Sequence, residues 1–179
     1  MELAGAIRDA ALLEGDFLLR SGARSTYYLD KYRFSTRPDL LRALGEAIAA
    51  AVAEHDPEAV RLAAPELGAV PLAAAASLEA GIPFVIVRGA VKAHGTGNRI
   101  EGAFEPGERV CVVEDVVTAG GAALEAVEVL REAGLRVSTV VCVVDREEGG
   151  ADALARAAVR LRPLMLASEV RSAAPTPHG

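Results

Sequence analysis

The sequence predicts an α/β domain, a Rossmann-like parallel sheet flanked by helices, and three observations carry that expectation. Helical and strand-like stretches alternate along the 179 residues. The runs 110–113 and 140–144 are valine-rich and apolar on both faces, as the central strands of a covered parallel sheet must be. Two helical stretches end at glycines, Gly81 and Gly134, the usual stop before a following strand.

In chain order, Leu3, Ile7 and Ala10 recur at helical spacing and predict a first helix closed by Gly15. Short strands at 17–19 and 26–29 flank the turn Ser21-Gly22 and make an N-terminal hairpin. Pro38 opens a long helix whose apolar stripe is Leu40, Leu41, Leu44, Ile48 and Val52. Four sheet strands are expected at 59–64, 82–87, 109–114 and 137–144, with helices at 70–80 and 121–133. The chain 1–179 reads as one domain. Within it, 1–37 form a helix and hood, 38–166 the α/β core, and 172–179, with two prolines, a disordered tail.

Composition narrows the function. A net charge of −6 argues against a general nucleic-acid binder. The first eight residues are polar and mixed in charge, unlike a secretory leader. The longest uncharged apolar stretch, 69–78, is interrupted by Pro71 and is too short to span a membrane. The expectation is therefore a cytoplasmic protein. Cys111 and Cys142 each sit in a valine-rich run and read as buried, reduced hydrophobes with no zinc-ligand spacing. Of nineteen basic residues only Lys31 and Lys92 are lysine.

Most of the functional information lies in 109–123, R-V-C-V-V-E-D-V-V-T-A-G-G-A-A. A strand ends in Glu114 and Asp115, a turn Thr118-Ala119-Gly120-Gly121 follows, and a helix begins. The backbone N–H groups of such a turn and the helix N-terminus behind it converge on one point, which is how proteins hold a phosphate. Thr118 adds a hydroxyl, and the glycines let the backbone come close. Two adjacent carboxylates repel phosphate but accept hydrogen bonds from a vicinal diol. Together these features describe a site for a ribose 5-phosphate. On the residues alone, a solvated strand end followed by a plain turn remains the other reading.

The segment Val112-Val113-Glu114-Asp115-Val116-Val117-Thr118-Ala119-Gly120-Gly121 resembles the phosphoribosyl-pyrophosphate (PRPP) motif of type I phosphoribosyltransferases. Three further segments are similar to the orotate-specific branch of that family. Phe17-Leu18-Leu19-Arg20-Ser21-Gly22, with Ser25-Thr26-Tyr27-Tyr28-Leu29-Asp30, resembles its N-terminal hairpin. Val87-Arg88, with Lys92-Ala93-His94-Gly95, resembles its mobile catalytic loop, and Val143-Val144-Asp145-Arg146 its last strand. The similarity runs from about Gly15 to Leu166.

That resemblance implies the type I phosphoribosyltransferase fold with a small hood, and a Mg²⁺-dependent transfer of the 5-phosphoribosyl group from PRPP to orotate. The products would be orotidine 5′-monophosphate and pyrophosphate, a step of pyrimidine biosynthesis. It also implies the site residues. Arg20, Arg88, Lys92, His94, Glu114 and Asp115 would take PRPP, together with the turn Val116, Val117, Thr118, Ala119, Gly120, Gly121 and Ala122. Lys92, His94 and Asp115 would be catalytic. Glu66, Leu67 and Gly68 would form a pyrophosphate loop with a cis peptide at Glu66–Leu67. Tyr27, Tyr28, Thr118 and Arg146 would take orotate. No residue is assigned to a metal, which arrives with the donor. The partner is a second copy, in a homodimer whose loops 88–102 close over the neighbouring site.

The residues agree with such substrates. Arg20, Arg24, Lys31, Arg33 and Arg37 set a local basic field on an acidic chain, suited to drawing in a polyanion. Arg146 suits a planar carboxylate, and Tyr27 and Tyr28 offer flat surface. Read alone, the tyrosines also fit ordinary core packing, and Arg146 a surface pair with Glu147 or Glu148. Gly89 stands where the family commonly has a lysine. That keeps a nucleotide-binding regulator without turnover in view. Because the PRPP motif fixes the donor and not the acceptor, a transferase for another base stays in view as well.

Overall fold

The computed structural model describes residues 2–18, 22, 24–89 and 99–174. Helix α1 (Leu3–Ala11) leads into a hairpin of β1 (Leu12–Leu18) and β2 (Arg24–Leu29), followed by the short α2 (Lys31–Ser35) and the long α3 (Pro38–His55). Then come β3 (Arg61–Pro65), α4 (Ala69–Ala80), β4 (Phe84–Val87), β5 (Ile100–Glu101) and β6 (Arg109–Val117). The chain continues through α5 (Gly121–Glu132), β7 (Arg136–Asp145), α6 (Gly150–Arg156), β8 (Arg160–Leu166) and α7 (Ala167–Ser172).

The main sheet has the order β5-β4-β3-β6-β7-β8. Every pairing is parallel except β4 with β5, so the sheet is mixed where a parallel one was expected. Alternation along the central strands fills two cores. Leu62, Cys111, Val113, Val141 and Val143 join one with α1, α3 and α4, whereas Ala63, Val110, Val112, Val140 and Cys142 join the other with α5. The stripe Leu40, Leu44, Ile48 and Val52 is buried as its spacing predicts, and Pro38 opens α3 at its first turn. Gly45 lets α3 approach α4 closely, because a Cβ there would come within 2.8 Å of the Ala75 methyl.

Several boundaries move for physical reasons. The first helix stops at Ala11, because Leu12 and Leu13 pair with Leu29 and Tyr28 across the hairpin. The third expected sheet strand runs to Val117, beyond Glu114, since β7 continues to pair with it as far as Asp145. Five elements had no clear signal: β8, interrupted by Pro163 but tolerated at a sheet edge, the two-residue β5, and the short helices α2, α6 and α7. Among the described residues no helix is long and apolar enough to cross a membrane.

Candidate active site

Parallel pairing of β3, β4, β6 and β7 brings their carboxyl ends to one edge of the sheet. Residues 66–68, Arg88–Gly89, 118–121 and Arg146 therefore gather there, where open α/β sheets bind ligands. The sequence separates these segments by some eighty residues; the sheet order brings them together.

Glu114 and Asp115 are not a solvated strand end. Both lie within β6 and are buried, at 5% and 1% exposure. Their carboxylates are held by the strand itself: Asp115 N–H donates to Glu114 Oε1 at 3.0 Å, and Val116 N–H to Asp115 Oδ1 at 2.6 Å. Alternation sends the two side chains to opposite faces. Asp115 Oδ2 meets Lys31 Nζ of α2 at 2.8 Å. Burial, and then the charge of Asp115, push the Glu114 carboxyl up to about 8. Burial pulls the Lys31 ammonium down, but the hydrogen bond and charge of Asp115 outweigh it and its pKa is raised. Glu114 Oε2 has no hydrogen-bond partner among the described residues, an acceptor left over for a ligand hydroxyl.

Beyond β6 the turn does what its composition requires. Gly120 adopts φ 86°, a left-handed conformation, and α5 starts at Gly121 with no side-chain cap on its first amides. Thr118, Ala119, Gly121 and Ala122 are exposed around this uncapped helix start, while Val117 is buried and Val116 half-buried beneath them. A Cβ at Gly120 would stand 3.2 Å from the Gly150 carbonyl oxygen, so the turn is pressed against the start of α6.

The loop after β3 contains the expected cis peptide, Glu66–Leu67. Glu66 Oε1 accepts a hydrogen bond from Gly89 N–H at 3.0 Å, and Glu66 Oε2 lies 3.9 Å from Arg88 Nη1. The loop is thus tied to the stem of the next one. Gly68 packs directly on the acid pair: a Cβ there would overlap Asp115 Oδ2 and stand 3.2 Å from Lys31 Cε.

On the hood side, the Arg146 guanidinium carbon sits 4.8 Å from the Tyr27 ring centroid. Arg146 is buried, pairs with Glu148 at 2.9 Å, and leaves its Nε without a hydrogen-bond partner. Tyr28 points the other way, exposed and packed against Phe17 at 5.7 Å between centroids, so the structure joins Arg146 to Tyr27 and not to Tyr28. Arg20, Lys92 and His94 lie outside the described residues.

Two residues stand at the site without an assigned role. Lys31 was legible only as one of two lysines and part of a basic stretch. Arg171, whose guanidinium carbon is 4.9 Å from the same Tyr27 ring, carried no signal. Among the described residues no group of three or more histidine, cysteine or acidic side chains could hold a metal ion. Two carboxylates alone do not make a cage, but they suit hydroxyls that share a cation with a polyphosphate.

Comparison with known proteins places the chain among phosphoribosyltransferases. The phosphoribosyl transferase domain family matches residues 34–160. An orotate phosphoribosyltransferase of Methanocella arvoryzae is 51% identical over 156 residues, covering 87% of each chain. The crystal structure of orotate phosphoribosyltransferase from Aeropyrum pernix superposes with a TM-score of 0.84 at 34% identity, covering 94% of this chain and 95% of that one. The Mycobacterium tuberculosis orotate phosphoribosyltransferase in complex with PRPP gives 0.80 at 30% identity, covering 95% and 97%.

Proposed function

Because this chain belongs to the phosphoribosyl transferase family, and within it to the orotate phosphoribosyltransferases, we propose that its site transfers the 5-phosphoribosyl group of PRPP to orotate. The observation that carries the reading is the buried acid pair followed by the glycine turn at the carboxyl edge of the central strand. Glu114 and Asp115 accept hydrogen bonds from the ribose hydroxyls. Thr118, Ala119, Gly120, Gly121 and Ala122, with Val116 and Val117 fixing the strand end, hold the 5-phosphate through backbone amides and the Thr118 hydroxyl. Glu66, Leu67 and Gly68 offer amides to the pyrophosphate, and Arg88 stands beside them. Arg146, stacked on Tyr27, pairs with the carboxylate of orotate.

The bond formed joins orotate N1 to C1 of the ribose. The bond broken is that from C1 to the pyrophosphate oxygen, which leaves with its electron pair, and the N1 proton is lost. Positive charge grows at C1 and negative charge on the leaving group, so the protein's work is to fix the sugar, supply cations at the pyrophosphate and exclude water. Mg²⁺ bound with the donor would supply charge neutralisation at the leaving group. Glu114 and Asp115 would hold the ribose hydroxyls.

The reading includes a homodimer in which Arg20, Lys92 and His94 complete the pyrophosphate end, the last two from the neighbouring subunit's loop. It also includes a cytoplasmic setting, in keeping with two buried, unpaired cysteines. The test is pyrophosphate release with PRPP, Mg²⁺ and orotate, run beside uracil, adenine and hypoxanthine. Release with orotate alone is the expected result. Release with another base in preference, or PRPP binding without release, overturns the acceptor or the activity respectively.

A further inference from the structure

We propose that Lys31 is a positioning residue of the donor site: its ammonium holds the Asp115 carboxylate in place, aimed at the ribose. This rests on the reading of the acid pair as the ribose clamp. Asp115 is buried, at 1% exposure, and stands next to a second buried acid, so its direction is set by the few partners that reach it. Among the described residues, Lys31 is the cation in contact with the pair, at 2.8 Å from Asp115 Oδ2. The other oxygen, Oδ1, already accepts the Val116 N–H at 2.6 Å. The carboxylate plane is therefore fixed from both ends, by its own strand and by α2.

Two further observations make Lys31 more than a chance surface pair. Its side chain passes beneath Gly68, where any Cβ would crowd its Cε at 3.2 Å, so the pyrophosphate loop is shaped to let the ammonium through. And α2 is fastened at its start by Asp30, whose Oδ1 accepts the Tyr32 N–H at 3.2 Å, so Lys31 projects from a capped helix terminus. The chain uses arginine almost everywhere else. A compact, single-headed cation fits the gap under Gly68 in a way the guanidinium fork does not.

The experiment replaces Lys31 with cysteine and restores the cation chemically. Cys111 and Cys142 are fully buried, and burial pushes both thiols well up, so a new thiol at this half-buried position is the reactive one. Lys31→Cys is expected to lose roughly 30- to 100-fold in kcat/KM for PRPP, the scale for removing one partner of a charge pair whose other member is buried. The orotate KM is expected to stay within about twofold. Aminoethylation of the folded variant, which rebuilds a lysine-like side chain, recovers at least about tenfold, and capping with a neutral methylthio group recovers nothing. In an Asp115→Asn background the aminoethyl group gives no gain, because Lys31 acts through Asp115. An undiminished Lys31→Cys variant, equal rescue by the neutral cap, or equal rescue in the Asp115→Asn background each overturns the proposal. Wild type assayed alongside with orotate separates this from the activity itself: its failure to release pyrophosphate would overturn the donor reading instead.

Discussion

Gly68→Ala isolates how tightly the loop after β3 is built against Asp115. Gly68 has φ −69° and ψ −29°, an ordinary helical conformation that alanine adopts without strain. Backbone propensity alone would make the substitution stabilising by about 0.4–1 kcal/mol. Packing opposes it. The new methyl would overlap Asp115 Oδ2, with Asp115 Cγ at 3.1 Å and Lys31 Cε at 3.2 Å. Asp115 has little room to retreat: it is 1% exposed, bonded to Val116 N–H and paired with Lys31. Overpacking of this kind costs about 1–3 kcal/mol, and loss of the Lys31 contact adds to it up to the few kcal/mol of a broken buried pair. The net expectation is a fall of about 1–4 kcal/mol, or a Tm lower by roughly 2–16 °C for a chain of this size. Misaiming Asp115 by about 1 Å should also cost on the order of 10²-fold in kcat/KM for PRPP. Scanning calorimetry and titration with PRPP check the two halves independently. A Tm that rises slightly, as backbone propensity alone demands, with PRPP affinity intact, would refute the packing argument.

Arg146→Ala should raise the orotate KM roughly 10- to 100-fold, the worth of one charged hydrogen-bonded contact, and spare PRPP affinity; equal loss on both substrates would count against its acceptor role. Glu114→Gln removes a carboxyl that takes up a proton in the folded chain between about 4.5, its unfolded value, and about 8. There the folded state binds more protons than the unfolded one, so this group costs stability as pH rises through that window. The Tm of Glu114→Gln relative to wild type should therefore climb from pH 5 to pH 8.5, and a constant offset would refute the burial argument. On the proposed homodimer, Lys92→Ala and Asp115→Asn, each expected to be nearly inactive, should return about a quarter of wild-type activity when unfolded and refolded together, because half the dimers would be hybrid with one intact site. A mixture as inactive as its parts means that the loop serves its own subunit.

What was legible in the sequence was what is local in it. Val110–Val113, Glu114, Asp115 and the Thr118–Gly121 turn are contiguous, so their strand, acids and phosphate-type turn could be read as one unit, and the structure keeps them as one. The long helix was equally plain, because the four-residue spacing of Leu40, Leu44, Ile48 and Val52 needs no partner to be recognised. Depth was not legible. Glu114 and Asp115 read as a strand end from sequence, and only the pairing of Val116 and Val117 with β7 carries the strand past them. The surroundings of Gly120 were equally hidden. With φ 86° and Gly150 against its α-carbon, a side chain there disturbs the α5–α6 packing as well. The edge strand β8 was hidden for a different reason: Arg160, Arg162 and Pro163 break the apolar run that marks its neighbours, as an exposed edge allows.

The hood shows most clearly why a site cannot be read segment by segment. Tyr27 and Lys31 are four residues apart, on β2 and at the start of α2, yet they contact residues assigned to opposite ends of the proposed transfer. Tyr27 stacks on Arg146 at the end of β7, on the side assigned to the base. Lys31 pairs with Asp115 on β6, on the side assigned to the ribose. One short stretch of chain therefore spans the gap that the new bond must close. A shift of the hairpin by a fraction of an ångström would move Tyr27 against Arg146 and Lys31 against Asp115 together, and with them the distance from acceptor to donor. The hood is thus part of the reacting geometry, and substitutions that loosen its seat, at the Phe17–Tyr28 contact for example, should lower kcat more than they weaken the binding of either substrate.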